Sequence, residues 1–453
     1  MKVKIASSAQ DCAAWTGNAV VIDVLRSSTT VCALLSAGKK NIILYGDRKF
    51  AAAAKRKNPS LEIFSELQFD AGIKHKDNSP FTSLKSGASG HAAIATTAGT
   101  PAVMSLKKAK NIFMGGFCNF AALSARLQKT GGPVLIVPSN IFAHKEHLED
   151  DLCAQNFKRV LSGGAADNAA AVKKIKQSAR FKKFLAGVPA TGAKDAELCL
   201  KENSLPVIPQ IKLNGNHGAV NAAPREKAVI LFSGGMDSAV VLYWAVARGY
   251  ECHTLTISYG QKHQKEVAVA RALAKNAGAK AHFVKLKMPW LDGATSLVGG
   301  QKIPSHNLEK IGRELPSTYV PARNLVFVAL AASLADSIGA RAIALGPNAV
   351  DFSGYPDCTP QFYAPLSQAL KSGTRLGENF ELLTPLIKLS KAEIVKLGRG
   401  LGAPLEKTWS CYAGGKTPCG KCDACKLREE GFRKANGCLR RAASGGARQR
   451  FIR

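Results

Sequence analysis

The chain has 453 residues, of which 46% are hydrophobic, so it is long enough for about two or three globular domains and too apolar for a disordered protein. Lysine and arginine number 63 against 32 acidic residues, and the formal net charge of +31 favours anionic ligands such as nucleotides, phosphate esters or RNA. No segment approaches the roughly 20 apolar residues of a membrane helix, and the opening residues lack the apolar core of a secretory signal, so we expect a cytoplasmic protein with no membrane partner.

In the first half of the chain, short apolar runs alternate with helix-like stretches. A helix-like stretch at 147–163 ends in glycine. The apolar runs have the composition of buried strands and stand at 19–25, 41–46, 92–97, 111–116 and 133–138. This alternation predicts an α/β domain with a parallel sheet.

Three polar or irregular segments bear on domain organisation. The basic stretch at 173–183 is typical of a solvated helical face, with an RNA-binding patch as the alternative. Prolines followed by glycine and asparagine at 205–227 show no clear period, and we place a linker at 214–224. The last residues, 438–453, hold five arginines and no acid, which predicts a disordered basic tail, with RNA contact as an alternative.

A second α/β unit opens directly after the linker. The run at 228–232 is a strand pattern, and a helix pattern closed by Gly249 follows the string SGGMDS. A further strand at 251–260 and a long buried helix at 325–340 continue the alternation. The pattern predicts a second parallel sheet within 225–437.

The SGGMDS string is the strongest signal of a binding site. Its two glycines let the backbone approach a ligand closely, and the amides at the start of the following helix face an anion. Asp237 can hold Mg²⁺ against phosphates, whereas the lysine of the GxxxxGK[ST] loop is missing; an ordinary strand–helix turn is the alternative. The string resembles the PP-loop of the ATP pyrophosphatases. That resemblance implies ATP binding by Phe232, Ser233, Gly234, Gly235, Met236, Asp237 and Ser238.

The late cysteines form a second signal. Twelve cysteines in a chain of this length do not make a disulfide scaffold. Cys411, Cys419, Cys422 and Cys425 follow the spacing C-x7-C-x2-C-x2-C, which suits one closed, structural Zn²⁺ per chain in a subdomain at about 405–430. An iron–sulfur cluster is the alternative.

Longer strings carry a family resemblance over about 228–437. They are SGGMDSAVVLYWA, SYGQKH, PSTYVPARN, GPNAVDFSGYPDC, TPLIKLSKAEIVKLG and PCGKCDACKLREEGF. Together they resemble the 7-cyano-7-deazaguanine synthase (QueC) family of queuosine biosynthesis. The resemblance implies that 7-carboxy-7-deazaguanine and ammonia are converted to the nitrile by two successive adenylations, with ATP and Mg²⁺ and without a protein nucleophile.

The same resemblance assigns roles to residues. It implies that Asp237, Ser238 and Arg323 are catalytic. It also implies that the deazapurine is surrounded by Tyr259, Gln261, His263, Asn324, Asp351, Ser353, Tyr355, Asp357 and Cys358. Lys388 and Lys391 are candidates for contact with the anionic groups, and solvated surface lysines are the alternative.

Three positions depart from the family pattern. Thr359 and Gln361 stand where the family usually has an arginine and an acid, and Ala322 replaces the usual glycine before Arg323. These departures leave open a paralogue that acts on another carboxylate, stops at the amide or conjugates the deazapurine to a protein. A second alternative is an RNA-associated protein that has lost ATP turnover.

The first half, 1–213, more loosely resembles the 2-phosphosulfolactate phosphatase (ComB-like) family, through VVIDVLRSSTTVCALLSAG, NSPF, TTAGT, GGFCNFAAL and HLEDDLCA. The resemblance implies Mg²⁺-dependent hydrolysis of a phosphate monoester. It implies that Asp23, Glu149 and Asp150 are the acidic residues of the site and that Arg26 binds the phosphate. It also implies that Ser79, Thr96 and Thr97 donate hydrogen bonds. Ala98, Pro101 and Asp77 depart from the family's asparagine, arginine and glycine, which leaves a degenerate binding or scaffold domain open. An internal Asp23–Arg26 salt bridge is a structural alternative.

We therefore expect a fusion of two α/β domains, the second a Rossmann-like PP-loop domain with a zinc subdomain. Its expected partners are small molecules, namely the deazapurine acid, ATP and ammonium. The sequence leaves a homo-oligomer open.

Overall fold

The computed structural model describes residues 1–143, 146–260, 264–298, 302–306, 315–350, 354–415 and 417–445. The chain divides into two compact units. The first comprises Met1–Pro224 with the short segment Ala247–Gly249, and the second comprises the rest of the chain from Arg225 onward. Each unit has its own sheet and its own hydrophobic clusters.

The first unit is built on a nine-stranded sheet. Its strands are β1 (Val3–Ile5), β2 (Asn18–Ile22), β3 (Asn41–Tyr45), β4 (Glu62–Phe64), β5 (His91–Ile94), β6 (Asn111–Gly115), β7 (Val134–Pro138), β8 (Pro209–Asn214) and β9 (His217–Ala222). They lie in the order β1-β7-β2-β6-β8-β9-β3-β5-β4. Only the pairs that involve β8 or β9 are antiparallel. The sheet is therefore mixed. The expectation of a parallel sheet was wrong for β8 and β9, which form an antiparallel hairpin in the middle of the sheet.

The β8–β9 hairpin also corrects the predicted linker at 214–224. Asn214 pairs with His217 across a two-residue turn, and Gly215 in that turn has a left-handed φ of 57°. The two turn residues are Gly215 and Asn216, and Gly-Asn between two strands is a recognised hairpin signal. The strand pattern of β9 is weak because one of its inward positions is Gly218, where a Cβ would lie 2.7 Å from Ile211 Cγ2. The division between the units falls after Pro224.

Helices cover both faces of the first sheet. They are α1 (Ala9–Ala14), α2 (Ser27–Ser36), α3 (Arg48–Lys57), α4 (Pro80–Ser83), α5 (Gly99–Ser105), α6 (Phe120–Thr130), α7 (Asn140–Ala143), α8 (Leu148–Leu161), α9 (Asn168–Gln177), α10 (Ala179–Gly187) and α11 (Gly192–Leu200). Along β2, Val20 and Ile22 pack in one cluster and Ala19 and Val21 in another. A strand buried on both faces reads as a continuous apolar run, which is why β2 was recognisable from the sequence.

The basic stretch at 173–183 forms parts of α9 and α10, which are separated at Ser178. Ile175 and Phe181 are buried, whereas the lysines of the stretch are exposed. This arrangement agrees with the interpretation of a solvated helical face.

The second unit contains a five-stranded parallel sheet. Its strands are β10 (Lys227–Leu231), β11 (Glu251–Ser258), β12 (Lys280–Lys285), β13 (Ala342–Ala344) and β14 (Glu381–Leu383). They lie in the order β12-β11-β10-β13-β14, and every neighbouring pair is parallel. The strand order reverses between β10 and β13, and such a switch point opens a crevice at the carboxyl ends of the strands.

Helices pack on both faces of this second sheet. They are α12 (Met236–Ala247), α13 (Gln264–Asn276), α14 (Arg323–Ile338), α15 (Pro360–Gly373), α16 (Lys391–Gly400) and α17 (Asp423–Gly445). Ala228 and Ile230 of β10 pack in one cluster, and Val229 packs in another with Val328. The last helix includes residues 438–445, which the sequence analysis assigned to a disordered tail; the rest of that segment lies outside the described residues. None of the described helices combines the length and the apolar character of a membrane span.

Candidate active site

The loop between β10 and α12 turns at Gly234. Gly234 has a left-handed φ of 82°, and a Cβ there would lie 3.0 Å from the Ala270 amide nitrogen and 3.1 Å from the Glu266 carbonyl oxygen. A side chain at this position would therefore be strained by its φ and would push the backbone of α13 away by a few tenths of an ångström. The Phe232 amide donates to Leu255 O at 2.9 Å, which ties the start of the loop to β11.

Hydroxyl and amide groups of the loop converge in front of α12. Ser233 Oγ and Ser238 Oγ lie 3.2 Å apart, and the Gly235 amide approaches Ser233 Oγ at 3.2 Å. Ser238 Oγ also donates to Gly235 O at 3.1 Å. Because α12 begins at Met236, its free amides lie beside these hydroxyls. The predicted anion-binding loop thus has the donors that phosphate groups require.

Asp237, in the first turn of α12, is held by one lysine. Lys391 Nζ lies 2.7 Å from Asp237 Oδ2, and the lysine side chain is 14% exposed. Asp237 Oδ1 is buried and has no hydrogen-bond partner among the described residues. The interpretation of Lys391 as a solvated surface lysine is therefore wrong. Lys388, in contrast, is exposed and is not among the residues that line the cavity at the switch point of the second sheet.

A cavity of about 310 Å³ opens at the switch point of the second sheet. Its floor is the Phe232–Ser238 loop, and Gly346 and Pro347 follow β13 along its side. Four residues predicted to surround the deazapurine line it, namely Tyr259, Asn324, Tyr355 and Cys358, together with Arg323, which was predicted to be catalytic. Arg323 Nη1 lies 3.5 Å from the Tyr259 hydroxyl, and Tyr355 shares a 2.9 Å hydrogen bond with Thr318. Gln261, His263, Asp351 and Ser353 lie outside the described residues.

Asp357 does not line the cavity but supports its wall. Its Oδ2 accepts a hydrogen bond from the Asn324 amide at 2.8 Å, and its carbonyl accepts one from Asn324 Nδ2 at 3.0 Å. Cys358, which does line the cavity, is 3.1 Å from the same Nδ2. The structure therefore makes Asp357 a cap for α14 that positions Asn324.

The cavity residues that the sequence reasoning missed include Glu266, Trp409, Tyr412 and Arg428. Burial raises the pKa of Glu266 to about 7, and the nearby Arg323 acts in the opposite direction. The first turn of α13 faces the same sheet edge as the phosphate loop. The position of Glu266 just after the SYGQKH string could therefore have predicted that it lines the site. Trp409 and Arg428 come close only through the fold of the cysteine segment.

The four late cysteines come together as predicted. Their Sγ atoms all lie within 4.8 Å of one another, and a tetrahedral zinc site with Zn–S bonds of about 2.3 Å would place the sulfurs about 3.8 Å apart. Backbone amides already point at the sulfurs: those of Ala413 and Cys419 approach Cys411 Sγ, at 3.4 and 3.3 Å. A closed set of thiolates with amide donors fits a structural metal ion.

This cysteine cluster is connected to the phosphate loop through Trp409. The Trp409 amide donates to Gly234 O at 3.0 Å, and its indole nitrogen donates to Cys411 O at 3.1 Å. The buried Trp409 ring packs with the cluster. The folding of the cysteine segment therefore supports the wall of the cavity.

In the first unit, Arg26 does not pair with Asp23. Its Nη2 lies 2.8 Å from Asp77 Oδ1 and its Nη1 lies 3.0 Å from Asp195 Oδ2. Arg26 is only 7% exposed, and Ser79 Oγ donates to the same Asp195. The predicted phosphate clamp and one predicted donor are thus engaged in an internal network, and the Asp23–Arg26 salt bridge is not formed.

The predicted acids of the first unit lie near the carboxyl end of β2. Asp150 accepts from the Val24 amide at 2.8 Å and from Ser139 Oγ at 2.9 Å, while Glu149 pairs with Arg180. Burial and the charges of Asp150 and Glu66 raise the pKa of Asp23 to about 7. Glu66, which the sequence reasoning missed, accepts from the amide and the hydroxyl of Thr97. Thr96 pairs instead with Thr100.

Comparisons with known proteins support both halves of the sequence reasoning. Residues 227–436 match the family model described as queuosine biosynthesis protein QueC, and residues 5–214 match that of 2-phosphosulpholactate phosphatase. The 7-cyano-7-deazaguanine synthase of Thermoplasma acidophilum is 45% identical over 213 residues, which cover 47% of this chain and 89% of the relative. The synthase of Thermosynechococcus vestitus is 43% identical, over 46% of this chain and 91% of the relative.

Proposed function

The chain belongs to the QueC family of queuosine biosynthesis proteins through residues 227–436, and from this premise we propose that its second unit is an ATP-dependent 7-cyano-7-deazaguanine synthase. The substrate is 7-carboxy-7-deazaguanine and the nitrogen source is ammonium. The observation that carries the proposal is the single cavity in which the Phe232–Ser238 loop faces Tyr259, Arg323 and Tyr355. The loop suits the phosphates of a nucleotide, and the tyrosines suit a flat heterocycle.

The loop supplies the binding of ATP. Its amides, with the hydroxyls of Ser233 and Ser238, suit the pyrophosphate, and the α-phosphorus is then presented to the substrate carboxylate. Mg²⁺ bound with ATP would neutralise phosphate charge, and the unpartnered Asp237 Oδ1 is the oxygen that would hold it. Arg323 is placed to stabilise the charge that develops on the departing pyrophosphate or adenylate.

The opposite wall supplies the binding of the heterocycle. Tyr259 and Tyr355 offer aromatic faces and hydroxyls, and Asn324, fixed by Asp357, offers amide contacts to the ring edge. Positioning the carboxylate beside the α-phosphorus turns an intermolecular reaction into an effectively intramolecular one. We assign Zn²⁺ to the four cysteines as a structural ion that keeps Trp409 against the loop.

The test is product analysis with the full chain. Purified protein given 7-carboxy-7-deazaguanine, ammonium and MgATP should release AMP and pyrophosphate and form the nitrile, detected by mass spectrometry. The Asp237→Ala variant should lose nucleotide turnover, and the variant Lys388→Ala should keep it because Lys388 lies outside the cavity. If the amide alone accumulates, the enzyme stops after the first adenylation and the proposal is overturned.

We further propose that the first unit is a relative of the 2-phosphosulfolactate phosphatases that does not hydrolyse phosphate monoesters through Arg26. The support is the pairing of Arg26 with Asp77, which stands where the family has glycine. Phosphate release from 2-phosphosulfolactate by the wild-type chain with Mg²⁺, lost in Arg26→Met, would overturn this part.

A further inference from the structure

Glu266 is a cavity-facing carboxylate that the phosphate loop does not explain. Its main-chain oxygen lies against Gly234, and its side chain lines the cavity. Among the described residues its carboxylate makes no hydrogen bond and no ion pair, and the charge that acts on it is that of Arg323. A partly buried acid facing a reaction cavity without a partner is placed to bind or to move a charged group.

The proposed reaction requires such a group, and the inference therefore rests on the proposed function. Ammonium first loses one proton to become the nucleophile. Its attack on the acyl adenylate forms the C–N bond, breaks the C–O bond to AMP and releases a second proton, which leaves the amide. The amide oxygen then displaces pyrophosphate from a second ATP. Loss of the last two N–H protons, as the C–O bond to AMP breaks, gives the nitrile, so the nitrogen surrenders all of its protons inside the cavity.

Few groups of the cavity can accept those protons. Its other charged side chains, on the phosphate loop and on α14, α16 and α17, are Asp237, Arg323, Lys391 and Arg428. Three of these are cations, and Asp237 is bound to Lys391. The remaining titratable groups among the described cavity residues are tyrosines and one cysteine. Glu266 is thus the carboxylate that is not already committed to a cation by a direct contact.

We propose that Glu266 is the general base of the synthase: it binds ammonium as a counter-ion and takes protons from the nitrogen in both halves of the reaction. Burial, opposed by Arg323, raises the pKa of this carboxyl to about 7, close to the pH at which a base is most effective. A purely structural role is the competing explanation, because an acid in the first turn of a helix such as α13 also favours the helix.

The experiment compares Glu266→Gln and Glu266→Asp with the wild-type chain. The matched control is Glu429→Gln, which changes an exposed glutamate of α17. At neutral pH, Glu266→Gln should form nitrile at least about 100-fold more slowly, since a general base contributes roughly 10²–10⁴-fold. Exchange of labelled pyrophosphate into ATP, driven by 7-carboxy-7-deazaguanine without ammonium, should stay within about threefold because adenylation needs no base at the nitrogen.

The pH profile separates a base from a structural acid. In the wild-type chain, kcat/KM for ammonium should rise through about pH 7, and Glu266→Asp should keep this limb at reduced height. In Glu266→Gln the limb should be absent, and the defect should shrink at high pH as free ammonia accumulates. A Glu266→Gln variant that makes nitrile at near wild-type rate, keeps the limb, or loses pyrophosphate exchange to the same extent overturns the inference alone. A wild-type chain that makes no nitrile overturns the proposed function and this inference with it.

Discussion

At the scale of single residues, the second unit shows how similar positions acquire different roles. Lys388 and Lys391 are three residues apart and looked equivalent in the sequence. Only Lys391 reaches Asp237, at 2.7 Å, because it opens α16 beside the phosphate loop. Its ammonium compensates a carboxylate that would otherwise face the phosphates with an unbalanced negative charge.

This difference gives a paired prediction. Lys391→Met should weaken ATP binding and pyrophosphate exchange by about 10–100-fold, since a hydrogen bond to a charged group contributes about 1.5–3 kcal/mol. Lys388→Met should leave both unchanged because its side chain is exposed. Calorimetric titration with a nonhydrolysable ATP analogue measures the dissociation constant of the nucleotide. Equal losses in the two variants would contradict the role assigned to Lys391.

A second residue-scale prediction concerns the first unit. Asp77→Gly removes one of the two carboxylates that hold Arg26 and restores the glycine of the related family. The guanidinium then keeps Asp195 on Nη1 and should donate to a phosphate group through Nη2, so that hydrolysis of 2-phosphosulfolactate with Mg²⁺ should rise at least about tenfold. The double variant Asp77→Gly with Arg26→Met should lose that gain. No change on freeing Arg26 would show that Asp77 is not what suppresses the activity.

At the scale of elements, the start of α14 carries a strained residue. Ala322 precedes Arg323 in the left-handed region, with φ 52° and ψ 26°. The left-handed conformation costs a residue other than glycine roughly 1–2 kcal/mol of folding free energy. Glycine avoids this cost, but its more flexible unfolded state offsets part of the gain. Ala322→Gly should therefore stabilise the second unit by about 1 kcal/mol in denaturant unfolding. The half-buried, left-handed Asn203 of the first unit serves as control, since Asn203→Gly should not shift the second unit's transition.

A further element-scale prediction concerns the cysteine cluster. Loss of the metal should loosen the Cys411–Cys425 segment and with it the Trp409 amide that holds Gly234, because binding to such sites is coupled to folding. Cys419→Ser should contain less zinc by elemental analysis, shift its tryptophan emission and bind ATP at least about tenfold more weakly. The control Cys252→Ser changes a buried cysteine of β11 outside the cluster and should keep its zinc. Tight ATP binding by a zinc-free variant would contradict the coupling.

These elements also show what the sequence could and could not predict. β2 and β10 were recognisable because strands buried on both faces are largely apolar, and Gly234 because the SGGMDS string stands between a strand pattern and a helix pattern. β9 was missed because its buried position 218 is a glycine, which adds no apolar side chain to the strand pattern; the side chain of Ile211 fills that space. The pairing of Arg26 with Asp77 and the cavity position of Glu266 depend on contacts between segments far apart in the chain, which local patterns do not encode.

At the scale of the whole molecule, the chain consists of two units with separate sheets and separate cores. A protein of this kind is expected to depart from two-state unfolding. Three of its four tryptophans, Trp244, Trp290 and Trp409, belong to the second unit, and Trp15 belongs to the first. Tryptophan fluorescence of a Trp15→Phe variant therefore reports on the second unit alone, while circular dichroism reports on both.

The last prediction uses this division. Unfolding in urea should show two transitions by circular dichroism, of which the Trp15→Phe fluorescence follows one. A ligand that binds only the folded second unit stabilises it by about 2.7 kcal/mol at 100 times its dissociation constant. The α,β-methylene analogue of ATP should therefore shift the fluorescence-detected transition and leave the other in place. The shift should vanish in Asp237→Ala and persist in Lys388→Met, because only Asp237 lies in the phosphate loop. A single transition that moves as a whole with the nucleotide would mean that the two cores unfold as one cooperative body, and that substitutions in the first unit can reach the nucleotide site through stability alone.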